Sequence, residues 1–405
     1  MEKTWRWFGK KDKISLDTLR QIGVEGIVTA LHDVPNGEIW ALEAIKELKS
    51  HIEGFGLRWS VVESLPVSEA IKYAGEDRDR LIANYITSLE HLGQAGVTTV
   101  CYNFMPVIDW VRTELDYKLP DGTSSLYFVK IKFIYFDIYI LEREGASNDY
   151  SAEELAKVEQ LKKTITEAER DKLIDTIIVK TQGFINGNIK EGESNPVALF
   201  KQLLSLYDGI DRDTLRLNMK YFLEKIMPVC EKYNINMCIH PDDPPFQMLG
   251  LPRIVTNEED IEWLLKAVDH PCNGLTFCAG SLSAGIQNNV PEMAKKFVSR
   301  TKFVHLRSTD VYPNGDFMEA SHLKGRGHLI DVVRVFEKEN PSLPMRVDHG
   351  RLMFDDADKG YNPGYSFHGR MIALGQMEGV IAAVQEEGAP LSSPPKGGRK
   401  NSFNS

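Results

Sequence analysis

Short runs of β-branched and aromatic residues alternate along this chain with longer stretches in which apolar residues recur at helical spacing. Runs of the first kind lie at 4–8 (TWRWF), 25–31 (EGIVTAL), 57–63 (LRWSVVE) and 98–102 (TTVCY). Four more lie at 235–240 (INMCIH), 273–278 (NGLTFC), 302–306 (KFVHL) and 343–348 (LPMRVD). They predict eight strands. Stretches of the second kind cover 38–54, 78–94, 213–233, 257–268, 289–299 and 328–339 and predict helices. Strand–helix alternation at this spacing implies a parallel α/β sheet. Eight units favour a closed (β/α)8 TIM barrel over a doubly wound open sheet.

One interval breaks the rhythm. Between about 110 and 212 no strand of that kind is flanked by turn signals. Residues 151–182 are charge-rich and helical in period, and they open on Ser151 with Glu154 three positions later, a capping box. The interval predicts a large, mainly helical insertion after strand 4. Loops that follow barrel strands lie on the catalytic face, so the insertion is expected to cover the site. A single barrel domain over 1–387 is expected, followed by a disordered tail at 388–405, rich in Pro, Gly, Ser and Asn.

Composition narrows the function classes. Lys and Arg number 48 against 58 Asp and Glu, a net charge of −10, which argues against a nucleic-acid binder. No apolar run reaches the roughly 18 residues that span a membrane. The start of the chain has no apolar segment of the signal-peptide kind. The five cysteines form no CxxC and no even framework, so a reducing, cytoplasmic setting is expected. P-loop, GxGxxG, HExxH and GxSxG patterns are all missing, which removes most support for phosphoryl transfer, nicotinamide chemistry and serine hydrolysis.

Candidate chemistry gathers at the ends of the last four strands. These deliver His240, Cys278, His305 and Asp348. A barrel points those ends at one mouth, and two histidines, a thiolate and a carboxylate can together hold a divalent transition metal. Taken singly, each has a blander explanation, since free cysteine is often a small buried hydrophobe. Cys101, Cys230, Cys238 and Cys272 are expected to be only that. Alternation along a strand gives His305 and Arg307 a common face. His349 adjoins Asp348 and makes a ligand–base pair with it. Tyr365 and Arg370 follow an Asn-Pro-Gly turn and, read alone, are packing or surface groups. Arg6, His32, Glu63 and Asn103 sit at or after the first four strand ends as candidate binders of hydroxyls or a carboxylate.

At these residues the chain resembles the UxuA-type mannonate dehydratase family. TWRWFG at 4–9, VTALHDVPNGEIW at 28–40, WSVVES at 59–64 and TVCYNFMPVIDW at 99–110 carry the resemblance. So do HPDDPP at 240–245, LGLPRI at 249–254, FCAGS at 277–281, VHLRST at 304–309, RVDHGR at 346–351 and NPGYS at 362–366. Ala279 and Val347 depart from the family pattern, which has Thr and Pro there; neither change removes a functional group. The resemblance implies a xylose-isomerase-like barrel that converts D-mannonate into 2-dehydro-3-deoxy-D-gluconate and water, a step of hexuronate breakdown. It implies Mn²⁺ or Fe²⁺ held by His240, Cys278, His305 and Asp348, with His349 and Tyr365 as the acid–base pair.

That reaction needs a cation for the substrate carboxylate, and Arg307 is the expected one, with Asn103, His32 and Arg370 as further contacts. His349 is expected to be the base and Tyr365 the acid, with the reverse assignment open. The rival readings are a metal-dependent sugar isomerase or epimerase on the same barrel and a non-catalytic sugar-acid binder. Sugar isomerases of this fold favour a carboxylate-rich metal shell, whereas this chain offers Cys and His. A homodimer is the expected assembly on general grounds, and no nucleic-acid or membrane partner is expected.

Overall fold

A computed structural model describes residues 1–182, 189 and 192–387. The tail expected from Gly388 onward lies outside the described residues. Among the described residues, twelve strands occur in chain order. They are β1 (Glu2–Arg6), β2 (Gly26–Thr29), β3 (Arg58–Glu63), β4 (Thr99–Tyr102), β5 (Glu114–Lys118), β6 (Ser124–Phe128), β7 (Asn236–Ile239), β8 (Asn273–Cys278), β9 (Thr301–Leu306), β10 (Thr309–Val311), β11 (Phe317–Glu319) and β12 (Pro344–Val347). Eight of them close a parallel barrel in the order β1-β12-β9-β8-β7-β4-β3-β2. The eight strands of the periodicity are those of the barrel. The first begins and ends two residues earlier than the pattern suggests, because the chain turns where Asp12 accepts the Phe8 amide (2.7 Å).

Helices cover the barrel where the apolar periodicity placed them, among them Arg78–Gln94, Arg212–Tyr233, Glu258–Ala267 and Leu329–Glu339. Side-chain caps start several of them: Asp211 accepts from Thr214 N and Asn257 from Asp260 N. Inside the barrel, Val28, Val61, Cys101, Cys238 and Phe303 pack as a small apolar plug. Cys101 and Cys238 are direct neighbours across β4 and β7. The two-residue period carries this inward face one step further up, so His240 lies above Cys238, His305 above Phe303 and Cys278 above Thr276. Register sets Cys278 and Arg346 on either side of His305. Among the described residues no helix is long and apolar enough to cross a membrane.

The long excursion between β4 and β7 contains the helices Ala152–Thr164 and Glu167–Ile174. Capping boxes start both, Ser151 with Glu154 and Thr166 with Glu169. The interval holds no barrel strand, and beside its helices it carries a hairpin that the sequence did not reveal. β5 and β6 form a hairpin that joins β10 and β11 in a second sheet of order β10-β11-β6-β5. The turn is signed locally, by Asp121 Oδ1 accepting from Thr123 N (3.0 Å) and by Gly122 at φ +82°. β5 alternates charged residues on an exposed edge, and β6 finds its inner partner only in a loop nearly two hundred residues later. Neither strand therefore looks like a barrel strand in the sequence. Ser125 Oγ donates to the Glu319 carbonyl (2.8 Å) and fastens the two hairpins over the barrel mouth.

Candidate active site

A cavity opens at the C-terminal ends of the barrel strands, and Arg6, Asp109, Trp110, His240, His349 and Tyr365 are among the residues that line it. His240, Cys278 and His305 offer ligand atoms that all lie within 4.8 Å of one another. His240 Nε2 and His305 Nδ1 face each other at 3.2 Å. His240 Nδ1 lies 2.7 Å from the Pro241 carbonyl, an acceptor, so this nitrogen donates and Nε2 is the one turned toward the cluster. Burial by itself would raise the Cys278 thiol. The Arg307 guanidinium and His240 outweigh it and hold the thiol well below its ordinary range. Ser281 adds two donors to the sulfur, its amide at 3.4 Å and its hydroxyl at 3.2 Å. Two imidazoles and a thiolate-prone sulfur in mutual reach suit a borderline divalent transition metal.

Asp348 stands beside this cluster, 3.9 Å from His305 Nδ1. Its carboxylate also accepts from Arg346, from Arg307 Nε (2.9 Å) and from the Tyr365 hydroxyl (3.5 Å). Burial would raise its pKa, and Arg346 dominates the opposing charges that hold it well below the carboxylate range.

His349 lies between two partners. Nδ1 is 3.1 Å from Glu319 Oε1, and the ring meets Tyr365 edge-on at 5.3 Å between centroids. Glu319 is buried, which would raise its pKa, yet Arg307 and Arg112 bring it down to about 2. An ionised Glu319 can only accept, so His349 Nδ1 donates and Nε2 is the basic nitrogen. Trp110, from the start of the insertion, packs against the same ring at 5.1 Å.

Three expected substrate contacts are placed differently. Arg307 reaches the cavity, but protein acceptors already engage its guanidinium: Asp348, Glu319 (2.8 Å), Asp243 (2.6 Å) and Ser281 Oγ (3.0 Å). It is a brace for buried carboxylates rather than an open anion clamp, because uncompensated buried carboxylates take the nearest cation. Arg370 is buried below the site. It donates to the carbonyls of Tyr365 (2.9 Å), Ser366 (3.0 Å) and Arg6 (3.2 Å) and stacks on Trp5. It supports Tyr365 from behind. His32 is exposed beside Phe8 and is absent from the cavity wall. Asn103 does line the cavity, where its amide donates to Asp109 Oδ2 (2.8 Å).

Glu63 and Arg6 are both at the wall and paired with each other (3.2 Å), and Glu63 takes both arms of Arg346 at 3.0 Å. Arg6 Nε is buried without a partner. The sequence reading did not single out Arg346, Asp243, Glu319, Arg112 or Asp109. A charged residue inside the apolar run LPMRVD is a signal for Arg346, and HPDDPP beside His240 is one for Asp243. Glu319 and Arg112 have no local signal. Their partners are distant in sequence, with Arg112 bridging Asp243 (2.8 Å) and Glu319 (2.7 Å).

Comparisons with known proteins agree with one another. A sequence model of the family described as D-mannonate dehydratase (UxuA) matches residues 1–389. A mannonate dehydratase of Marinomonas sp. (strain MWYL1) is 46% identical over 390 residues, 94% of this chain and 98% of that protein. Mannonate dehydratase 2 of Agrobacterium fabrum is 41% identical over 396 residues, 96% and 98% of the two chains. The crystal structure of mannonate dehydratase from Streptococcus suis serotype 2 superposes with a TM-score of 0.77 at 33% identity, covering 96% of each chain.

Proposed function

The chain belongs to the D-mannonate dehydratase (UxuA) family, and on that premise we propose how its residues divide the work. Membership makes it a carbon–oxygen hydro-lyase acting on a small sugar acid, D-mannonate, with 2-dehydro-3-deoxy-D-gluconate and water as products. The sugar-isomerase and sugar-acid-binder readings fall behind it. One observation carries the proposal for the residues: the His240–Cys278–His305 cluster lies at the same mouth as the His349–Glu319 pair and Tyr365.

His240, Cys278 and His305 would hold a divalent ion with Asp348 as a fourth ligand, and Mn²⁺ or Fe²⁺ suits this mixed donor set. Such an ion, when bound, acts as a Lewis acid on substrate oxygens and stabilises the negative charge that develops next to the carboxylate. His349 takes the C2 proton at Nε2, the nitrogen that Glu319 leaves basic. Burial and the neighbouring Asp348 raise the Tyr365 phenol, so it meets the substrate protonated. Tyr365 then donates that proton to the C3 hydroxyl. The C3–O bond breaks, water departs, and the enol left between C2 and C3 rearranges to the 2-keto acid. The substrate carboxylate falls to Arg6, whose buried Nε is unpaired at the cavity wall, rather than to the engaged Arg307.

The test is a D-mannonate dehydration assay on chelator-stripped protein, with and without Mn²⁺ or Fe²⁺, reading the 2-keto-3-deoxy acid. Metal-dependent product is expected. Absence of product from folded, metal-loaded protein overturns the reading. A reducing, cytoplasmic setting is proposed as well, because all five cysteines are unpaired and buried and Cys278 must stay reduced to serve as a ligand. A homodimer is proposed on the prevalence of two-fold assemblies; light scattering on purified protein checks it.

A further inference from the structure

We propose that Asp109, fixed by Asn103, grips hydroxyl groups at the far end of the substrate and so sets the enzyme's specificity for the length and configuration of the sugar acid. The inference rests on reading this cavity as the dehydratase site.

Four carboxylates line the cavity, and three are neutralised. Glu63 pairs with Arg6 and Arg346, Asp243 with Arg112 and Arg307, and Asp348 with Arg307 and Arg346. Among the described residues no Lys or Arg pairs with Asp109. Its Oδ2 accepts one neutral hydrogen bond, from Asn103 Nδ2 at 2.8 Å, and no donor among the described residues reaches Oδ1. Burial accordingly pushes this carboxyl above its ordinary range, more than the charges of His240, Lys72 and Arg253 pull it down. A carboxylate desolvated in this way gains most from donors that arrive with the substrate.

The donors are hydroxyls. Another carboxylate would be repelled, so the acid end of the substrate belongs with the cationic Arg6 and the metal ligands. The polyol end is left for Asp109. The Trp110 ring beside it gives an apolar wall for the carbon chain. The backbone is held independently of the side chain: Asp109 N donates to Gln182 Oε1 (3.0 Å), and Gln182 Nε2 donates to the Trp110 carbonyl (2.8 Å). Lys72 donates to the Met105 carbonyl (2.8 Å) and Glu69 accepts from Val107 N (3.1 Å), which fixes the loop ahead of it.

The experiment compares wild type with Asp109→Asn and Asp109→Ala. Two ligands are used: D-mannonate as substrate and, as competitive inhibitor, the four-carbon 2,3,4-trihydroxy acid with the same configuration at C2 and C3. Loss of a hydrogen bond to a charged group should raise KM for D-mannonate about ten- to hundred-fold while the inhibition constant of the short acid moves by no more than about twofold. Metal stoichiometry and melting temperature, read on the same samples, should match wild type. Asp109→Asn keeps the shape, so the test stands even where Asp109→Ala folds poorly. An inhibition constant that rises in step with KM overturns the proposal, as does a loss confined to kcat. Inactive, metal-loaded wild type would instead sink the dehydratase reading itself.

Discussion

At the scale of single residues, His349 depends on what surrounds it. Glu319 sets its tautomer and Tyr365 meets its edge. Replacing it with Asn removes the proposed base and should lower kcat by about 10²–10⁴-fold, the usual share of a general base, with metal content unchanged by elemental analysis. Glu319→Gln keeps the shape but lets either ring nitrogen carry the proton. A smaller loss in kcat is expected, with KM nearly kept. Gly364 matters for a steric reason. It sits at φ +83°, and a Cβ there would stand 2.7 Å from His349 Cδ2. Gly364→Ala should therefore displace the imidazole and reduce turnover while Cys278, His240 and His305 still bind metal, which a metal titration of the folded variant checks.

At the scale of elements, Arg112 is the tie between the insertion and the barrel. It is fully buried, and it compensates Asp243 from the β7 end and Glu319 from β11. Arg112→Met would leave both carboxylates short of a cation, a change that typically costs about 3–5 kcal/mol, so a clear drop in melting temperature is expected. Acid sensitivity follows from the same network. Asp243 and Glu319 are held below their ordinary carboxylate values by Arg112 and Arg307, against the effect of burial. Their contribution to stability is complete above the unfolded carboxylate range and is lost as pH falls toward the folded values, about 2 for Glu319. The melting temperature should fall between about pH 5 and pH 2, and Arg112→Met should shift that fall to higher pH.

At the scale of the molecule, the barrel closes through strand pairing and apolar packing, with buried ion pairs from Glu63 to Arg6 and Arg346 between its strands, and the proposed metal ligands sit at its rim. Removing metal with a chelator should therefore leave the far-ultraviolet circular dichroism intact. The melting temperature should fall only by what binding adds, about 3 kcal/mol for a ligand at a hundred times its Kd.

The eight barrel strands and six of their covering helices were legible because period two and period 3.6 are written within a few consecutive residues, whereas the helices Leu16–Gln21 and Phe367–Glu386 were not read as ranges. Strand ends could be read to within a residue or two, and that sufficed to bring His240, Cys278, His305 and Asp348 to one mouth. The β5–β6 hairpin was not legible, since its inner partner comes from a loop after β9. The work of Arg307, Arg370 and Arg112 was not legible either. A guanidinium reads the same in sequence whether it meets a substrate or a buried glutamate, and only the folded neighbours, from 5 to 207 residues away among Asp243, Glu319 and Tyr365's carbonyl, decide which. Asp109 shows the same limit from the other side: the role proposed for it rests on the absence of a paired cation among the described residues, a property of the space around it. Local periodicity determined the barrel and the ligand types at its rim. Long-range charge compensation in a low-dielectric interior decided which polar groups brace the site and which are left to meet the substrate.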